Sequence, residues 1–433
     1  MGAFLLPVYL FVMAEPMMVH SKPTLVLSAT GLISVTQADT YASVTDKDGP
    51  RSSTHLNTTE PASVILVAAE PATRIESLLL YQVSVQLRRI YLPVLIAAGT
   101  FGNVIVVVIH CRLPPGQKSS MSVYFTALAI SDSVVLWTGW FWVLQAFGIT
   151  LSVGYHVQQR DYTHDVILDV LCRIRVWTSY AFSQVSSWVL VSMTVHRTLS
   201  IVWPHETRNI LTKGGARKTV FFIVSFCTVT NAHTLYGHSL VPPPAALSGA
   251  ARPRKAVCFA SFHSESYGEF FNNVWVWEDS VMAVLLPFAC LIVTNTLLVR
   301  SVGRSLAEAR ETLAEGRRSD QQLAARGRKL SSMTVTVIAT SVAFLLLTSP
   351  LAAYMIVQRA LGRGGRGRDV RTRAADNLTL SSGLMMWYMN LAINFYIYCL
   401  TGARYRREFL RLFGWVGSTD TGSRGSRQVP PSD

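Results

Sequence analysis

The fold class this sequence predicts is an all-α membrane protein, a seven-transmembrane helix bundle, and three observations predict it. Half of the 433 residues are hydrophobic and only 15% are charged, whereas a soluble domain usually carries about 25% charged residues. Seven apolar runs recur, Ile90–Cys111, Met121–Ala146, Val170–Ile201, Thr219–Leu240, Val274–Val299, Met333–Val357 and Leu378–Leu400, each long enough to cross about 30 Å of hydrocarbon. None shows the two-residue alternation of a lipid-exposed barrel strand, and in lipid a backbone must satisfy its own hydrogen bonds, so each run is expected to be a helix.

Taken in order, the runs differ in what interrupts them. Span two carries Trp137, Trp140 and Trp142, which suit either an interfacial aromatic belt or a pocket wall. Its Asp132 lies mid-membrane, where a carboxylate costs at least about 2.5 kcal/mol unless paired or hydrated. Spans three and five hold charges near one end (Arg173, Arg175, Glu278, Asp279), so those boundaries are soft. Span four has His233 and His238 with no carboxylate at ligand spacing, which favours a polar helix face over zinc chemistry. Pro287 and Pro350 each remove a helix hydrogen bond and predict bends in spans five and six.

Residues 1–85 are expected to form an extracellular tail, 86–413 the helical domain and 414–433 a disordered cytoplasmic tail. Phe4–Ala14 is too short to span. It ends on small residues near Val12-Met13-Ala14, as a signal sequence does, but no basic residue precedes it, and cleavage stays open. Asn57-Thr58-Thr59 and Asn377-Leu378-Thr379 are glycosylation sequons.

The net charge of +14 comes from basic residues between the apolar runs, which points to a lipid bilayer and away from nucleic acid. With the N-terminus outside, the loop 300–329 carries eight basic residues on the inner side, and Arg404, Arg406, Arg407 and Arg411 add to it. The third outer loop runs against the trend, with six arginines between Gln358 and Asp376. Of the six cysteines, only Cys172 and Cys258 fall at the outer face, where an oxidising exterior lets them pair; two free thiols are the alternative.

Together the motifs resemble a class A (rhodopsin-like) G-protein-coupled receptor. They are Gly102-Asn103 in span one, Leu128-Ala129-Ile130-Ser131-Asp132 in span two, and Cys172 followed by Arg197 at the family's spacing in span three. Pro287, Phe344, Pro350 and Asn394-Phe395-Tyr396-Ile397-Tyr398 follow in spans five to seven. Tyr405-Arg406-Arg407-Glu408-Phe409 looks like that family's short amphipathic eighth helix. The resemblance covers residues 90 to about 413. The departures, His196 and Thr198 around Arg197, Thr348 for the tryptophan of span six, and Phe395 for the proline of span seven, are similar to those of invertebrate neuropeptide receptors of the FMRFamide-like kind.

The resemblance implies a plasma-membrane receptor rather than an enzyme. It implies a sodium and water pocket of Asn103, Asp132, Ser186, Asn390 and Asn394, with sodium at Asp132 the one ion expected. It implies coupling to a heterotrimeric G protein through His196, Arg197, Asn295 and Tyr398, exposed when span six swings outward below Pro350. The acid that holds the family's arginine is replaced by His196, and its glutamate partner in span six would fall near Leu330. Arg197 is therefore expected to be unpaired and the resting state weakly latched. A ligand pocket of Trp142, Ser179, Tyr180, Gln184, Thr348, Tyr354 and Trp387 follows from family geometry. Ser179 stands where amine receptors place an aspartate and Tyr388 where opsins place the retinal lysine, which excludes both. Long outer loops charged with both signs favour a peptide ligand. A receptor-like protein that does not signal is the alternative, and a transporter a more distant one, since no internal repeat or pair of broken helices is visible.

Overall fold

The computed structural model describes residues 78–146, 162–241, 257–260, 265–314, 320–360 and 369–412. Asn57 and the candidate signal sequence lie outside them. All seven apolar runs are helical, apart from residues 238–240 at the end of the fourth: α1 (Leu79–Arg112) and α2 (Ser120–Leu144), α3 (Tyr162–Val202), α4 (Lys213–Gly237) and α5 (Ser266–Arg304), α6 (Asp320–Ala360) and α7 (Val370–Thr401). A short helix, α8 (Ala403–Leu412), follows. Six of the long helices are also apolar enough to cross a membrane by length and composition. The exception is α7, whose hydropathy is lowered by the buried Asn390 and Asn394.

The helices overrun the apolar stretches. At 41 residues each, α3 and α6 are about 60 Å long, twice the hydrocarbon thickness. The polar end of α6 is made mostly of good helix formers, so nothing local stops that helix at the lipid boundary. Starts are set locally: Ser119 and Ser122 form a capping box before α2, and the Thr212 hydroxyl accepts the Gly215 amide at 3.0 Å before α4.

Both expected prolines free a carbonyl, and each carbonyl finds a donor. Val281–Leu285 form a π-helical turn in which the Leu286 amide reaches back five residues to the Val281 carbonyl. In that register Pro287 would serve Met282 but has no N–H, and the indole of Trp188 on α3 donates to the Met282 carbonyl instead, at 2.9 Å. In α6, Pro350 leaves the Leu346 carbonyl unserved, and the Ser349 hydroxyl donates to it at 3.2 Å.

Helices α1, α2 and α7 meet closely because Gly99 has no side chain. A Cβ there would lie 2.8 Å from the Cβ and 2.9 Å from the Cα of Ala392. The sequence pattern holds no signal for the antiparallel pair β1 (His238–Val241) and β2 (Val257–Ala260), which pairs Leu240 with Cys258. It joins α4 to α5 at one end of the bundle; α8 lies at the other. The apolar face of α8 is Tyr405, Phe409 and Leu412, which pack on the main core. Arg406 donates to the Cys399 and Leu400 carbonyls at 2.9 and 3.0 Å, closing the C-terminus of α7.

Candidate functional site

The α3 helix carries a polar residue at each level of the bundle, and each meets a different neighbour. At the middle level Asp132 of α2 is fully buried. Ser186 of α3 donates to its Oδ1 at 2.5 Å and Asn394 of α7 to its Oδ2 at 2.6 Å. Donors to both oxygens compensate a carboxylate that lipid would penalise. Asn103 lies close by on α1, its Nδ2 donating to the Leu391 carbonyl at 3.3 Å while its Oδ1 is buried without a partner. Asn390 is buried as well, and among the described residues Asp132 takes its side-chain hydrogen bonds from Ser186 and Asn394. The carboxylate, the Ser186 hydroxyl and the orphaned Asn103 oxygen are hard oxygen donors, the chemistry a small cation with water requires.

At the α8 end, Arg197 departs from expectation. It is only 6% exposed and not unpaired: its Nε and one terminal nitrogen donate to the Thr334 hydroxyl of α6 at 2.9 and 2.7 Å. Thr334 lies one helical turn beyond Leu330, so a neutral oxygen stands close to where an acid was sought. Nearby, the Thr194 and Ser341 hydroxyls meet at 3.1 Å, and Thr198 donates to the Thr294 carbonyl of α5 at 3.4 Å. Of the remaining residues expected at this end, His196 packs edge-on to Tyr124 at 5.5 Å. Tyr398 is 1% exposed and turns away from Arg197 to Phe125 and Tyr405, at ring separations of 4.8 and 5.2 Å. The Asn295 amide is buried with neither polar atom bonded. These four side chains are not gathered into one cavity in this arrangement. A second link is set by tautomer: Nδ1 of His110 must donate to the Val106 carbonyl, 2.8 Å away, so its Nε2 accepts from the Tyr405 hydroxyl at 3.0 Å.

Toward the hairpin end a small cavity of about 40 Å³ opens between α3, α5, α6 and α7. Of the expected ligand pocket, Thr348 and Trp387 line it. Gln184 stands behind it, donating to Asp279 at 3.1 Å and accepting from Asn231 at 3.0 Å. Trp142, Ser179 and Tyr180 are buried elsewhere: Trp142 in the α1–α2–α7 core and Tyr180 beside Trp275. Tyr354 packs at the edge of the first of those cores. Trp137 and Trp140 are exposed on the bundle surface, as a membrane belt requires. Asp279, read from the sequence only as a charge blurring the end of span five, is 2% exposed and lines the cavity.

Cys172 is disulfide-bonded, whereas Cys111, Cys227, Cys290 and Cys399 are free. Of its expected partner Cys258 only the backbone is described. The Asn377 sequon lies within α7, its amide donating to the Arg373 carbonyl at 3.1 Å. His233 and His238 are divided between α4 and β1: the first meets the Tyr267 hydroxyl at 3.0 Å and the second the Thr234 carbonyl at 3.2 Å.

The sequence model of the family described as 7 transmembrane receptor (rhodopsin family) matches residues 102–398. The chain is 24% identical to the FMRFamide receptor of Drosophila melanogaster over 323 residues, 73% of this chain and 51% of that receptor. It is 22% identical to neuromedin-U receptor 1 of Mus musculus (73% and 70% of the two chains) and 23% identical to the KiSS-1 receptor of Homo sapiens (75% and 73%). The chain thus spans about half the length of the fly receptor.

Proposed function

This chain belongs to the rhodopsin family of seven-transmembrane receptors, a family of multi-pass membrane receptors rather than enzymes, and we propose that it is a plasma-membrane receptor, N-terminus outside, that binds a peptide and activates a heterotrimeric G protein. The relatives named for FMRFamide and neuromedin U support a peptide as the ligand class. A bridge from Cys172 to Cys258 would fasten the hairpin to α3 at the extracellular end, and Asn57 and Asn377 would carry glycans there. Sodium, where bound, would be held by Asp132 and Ser186 with Asn103 at its side, and Asn390 within reach of its waters.

The observation that carries the proposal is the bond from Arg197 to Thr334. It ties α3 to α6 at the end that would face the G protein, and α3 runs unbroken from there to the cavity behind Asp279. A ligand that binds more tightly when α6 has moved out shifts the population toward that state. The bonds from Arg197 to Thr334 go to one neutral hydroxyl and are weaker than the bidentate pair an arginine makes with a carboxylate, so basal signalling is expected.

The test is G-protein dissociation without ligand, in cells expressing the chain at matched surface levels. The unmodified chain should signal above empty vector. Thr334→Ala should raise that signal about fivefold, the worth of roughly 1 kcal/mol of lost latch. Arg197→Ala should abolish both basal and stimulated coupling. A chain indistinguishable from empty vector, with Thr334→Ala equally silent, would leave the weak latch without support and favour a receptor-like protein that does not signal.

A further inference from the structure

We propose that the C-terminus of α7 is a second anchor for the α8 end of α6, made by Ser332 and Thr336 with Thr401, and that α6 cannot swing outward until it opens. The inference rests on the receptor reading above and adds positioning residues that lie outside the bond from Arg197 to Thr334.

Thr336 of α6 is buried, and its hydroxyl lies 2.7 Å from that of Thr401, the last residue of α7. The hydrogens of this pair have two satisfied arrangements. In one, Thr401 donates to the Ile397 carbonyl at 2.7 Å and accepts from Thr336. In the other, Thr336 donates to the Ser332 carbonyl at 3.0 Å and accepts from Thr401. Either way one bond crosses between the helices and each hydroxyl has an acceptor. One turn earlier on α6, Ser332 donates to the Thr401 carbonyl at 3.2 Å. That carbonyl is among the four that a helix C-terminus leaves without an internal partner. Its two predecessors, on Cys399 and Leu400, are served by Arg406 of α8. Three successive carbonyls of α7 are thus closed from outside, two by α8 and one by α6.

Thr334 and Thr336 are two positions apart, about 200° around a helix, so they face opposite ways. The first receives Arg197 from α3 and the second meets Thr401 of α7. Together they clamp α6 from both sides at one level. Breaking the α3 contact alone does not release α6, because the bonds to α7 must also be exchanged for water or new partners. The anchor point is itself fixed: the Tyr405 hydroxyl of α8 donates to His110 of α1, which holds the junction of α7 and α8 against the bundle. Bonds between neutral hydroxyls are individually modest, and a modest bond suits a step that ligand binding has to shift in either direction.

The test follows the position of α6 directly, in the purified full-length chain. One spin label is placed on Cys111, exposed at the end of α1, and the other on Val335→Cys, an exposed site of α6, with Cys290 and Cys399 replaced by alanine. The distance between the labels distinguishes α6 held in from α6 swung out. G-protein dissociation without ligand, in cells at matched surface level, is read in parallel. Thr336→Val and Thr401→Val each remove a hydroxyl and keep the shape of the side chain. Each should enlarge the outward population about fivefold, and Thr336→Ser, which keeps the hydroxyl, should give most of the resting population back.

The two valine variants probe the same bond from opposite helices, so one that folds is enough. A lowered thermal midpoint with an unchanged distance distribution is what a merely structural contact predicts, and it overturns the anchor whether or not the chain signals. An outward shift accompanied by raised basal dissociation supports both the anchor and the receptor reading. An outward shift with no dissociation, from the unmodified chain or from either variant, supports the anchor and removes the G-protein reading. Basal dissociation from the unmodified chain with no shift in either variant removes the anchor and keeps the receptor.

Discussion

Two carboxylates are buried in this bundle and their surroundings differ. Asp132 accepts a hydroxyl on one oxygen and an amide on the other, at 2.5 and 2.6 Å, from two different helices. Asp279 takes the Gln184 amide at 3.1 Å and borders a cavity lined by hydroxyls, two aromatic rings and aliphatic side chains. The first is enclosed by the fold and holds α2, α3 and α7 together. The second is positioned by the fold and borders a cavity. The burial of a charge alone therefore does not define its setting; what faces it does.

Several substitutions would sharpen or break that contrast. The largest effect is expected at Asn394→Ala, which takes a donor from an enclosed carboxylate that no solvent reaches. Hydrogen bonds to charged groups are worth about 1.5–3 kcal/mol, so the thermal midpoint of the purified chain should fall clearly, and surface expression with it. Gln184→Ala should cost less, about 1 kcal/mol, because water in the adjoining cavity can replace the lost donor to Asp279. Equal losses for these two variants would erase the distinction between the enclosed and the open site. The smallest shift belongs to Trp188→Phe, which removes the donor to the Met282 carbonyl but keeps most of the packing, at about 1 kcal/mol or less. Its loss should appear as stability alone, with peptide response unchanged at matched surface level; a changed response would mean that the turn before Pro287 takes part in signalling.

Much of the fold was legible in the chain. Seven apolar runs without two-residue alternation can only be helices in lipid, and of the residues that the family resemblance placed around Asp132, Ser186 and Asn394 bond it. The α7 helix begins eight residues earlier than its apolar run, and α1 eleven residues earlier, because hydropathy reports where lipid is and not where hydrogen bonding ends. Arg197 was expected to be unpaired, the family's glutamate falling near Leu330, and it finds a partner in Thr334. A signal for it was present: Thr334, Ser341 and Thr348 recur at seven-residue spacing, two helical turns apart on one face of α6. All three are at most 3% exposed, so they mark the stripe that faces α3 and the cavity.

By itself, then, the sequence determined the number of helices, the residues that cannot face lipid and the family to which the chain belongs, because those follow from local composition and spacing. Which buried acid is enclosed and which borders a cavity, which hydroxyl receives Arg197, and which donor reaches the carbonyl that Pro287 frees depend on atoms brought to about 3 Å by packing. Hydrogen-bond complementarity between helices far apart in the chain is a property of their relative rotation and height, and only the tertiary structure sets those.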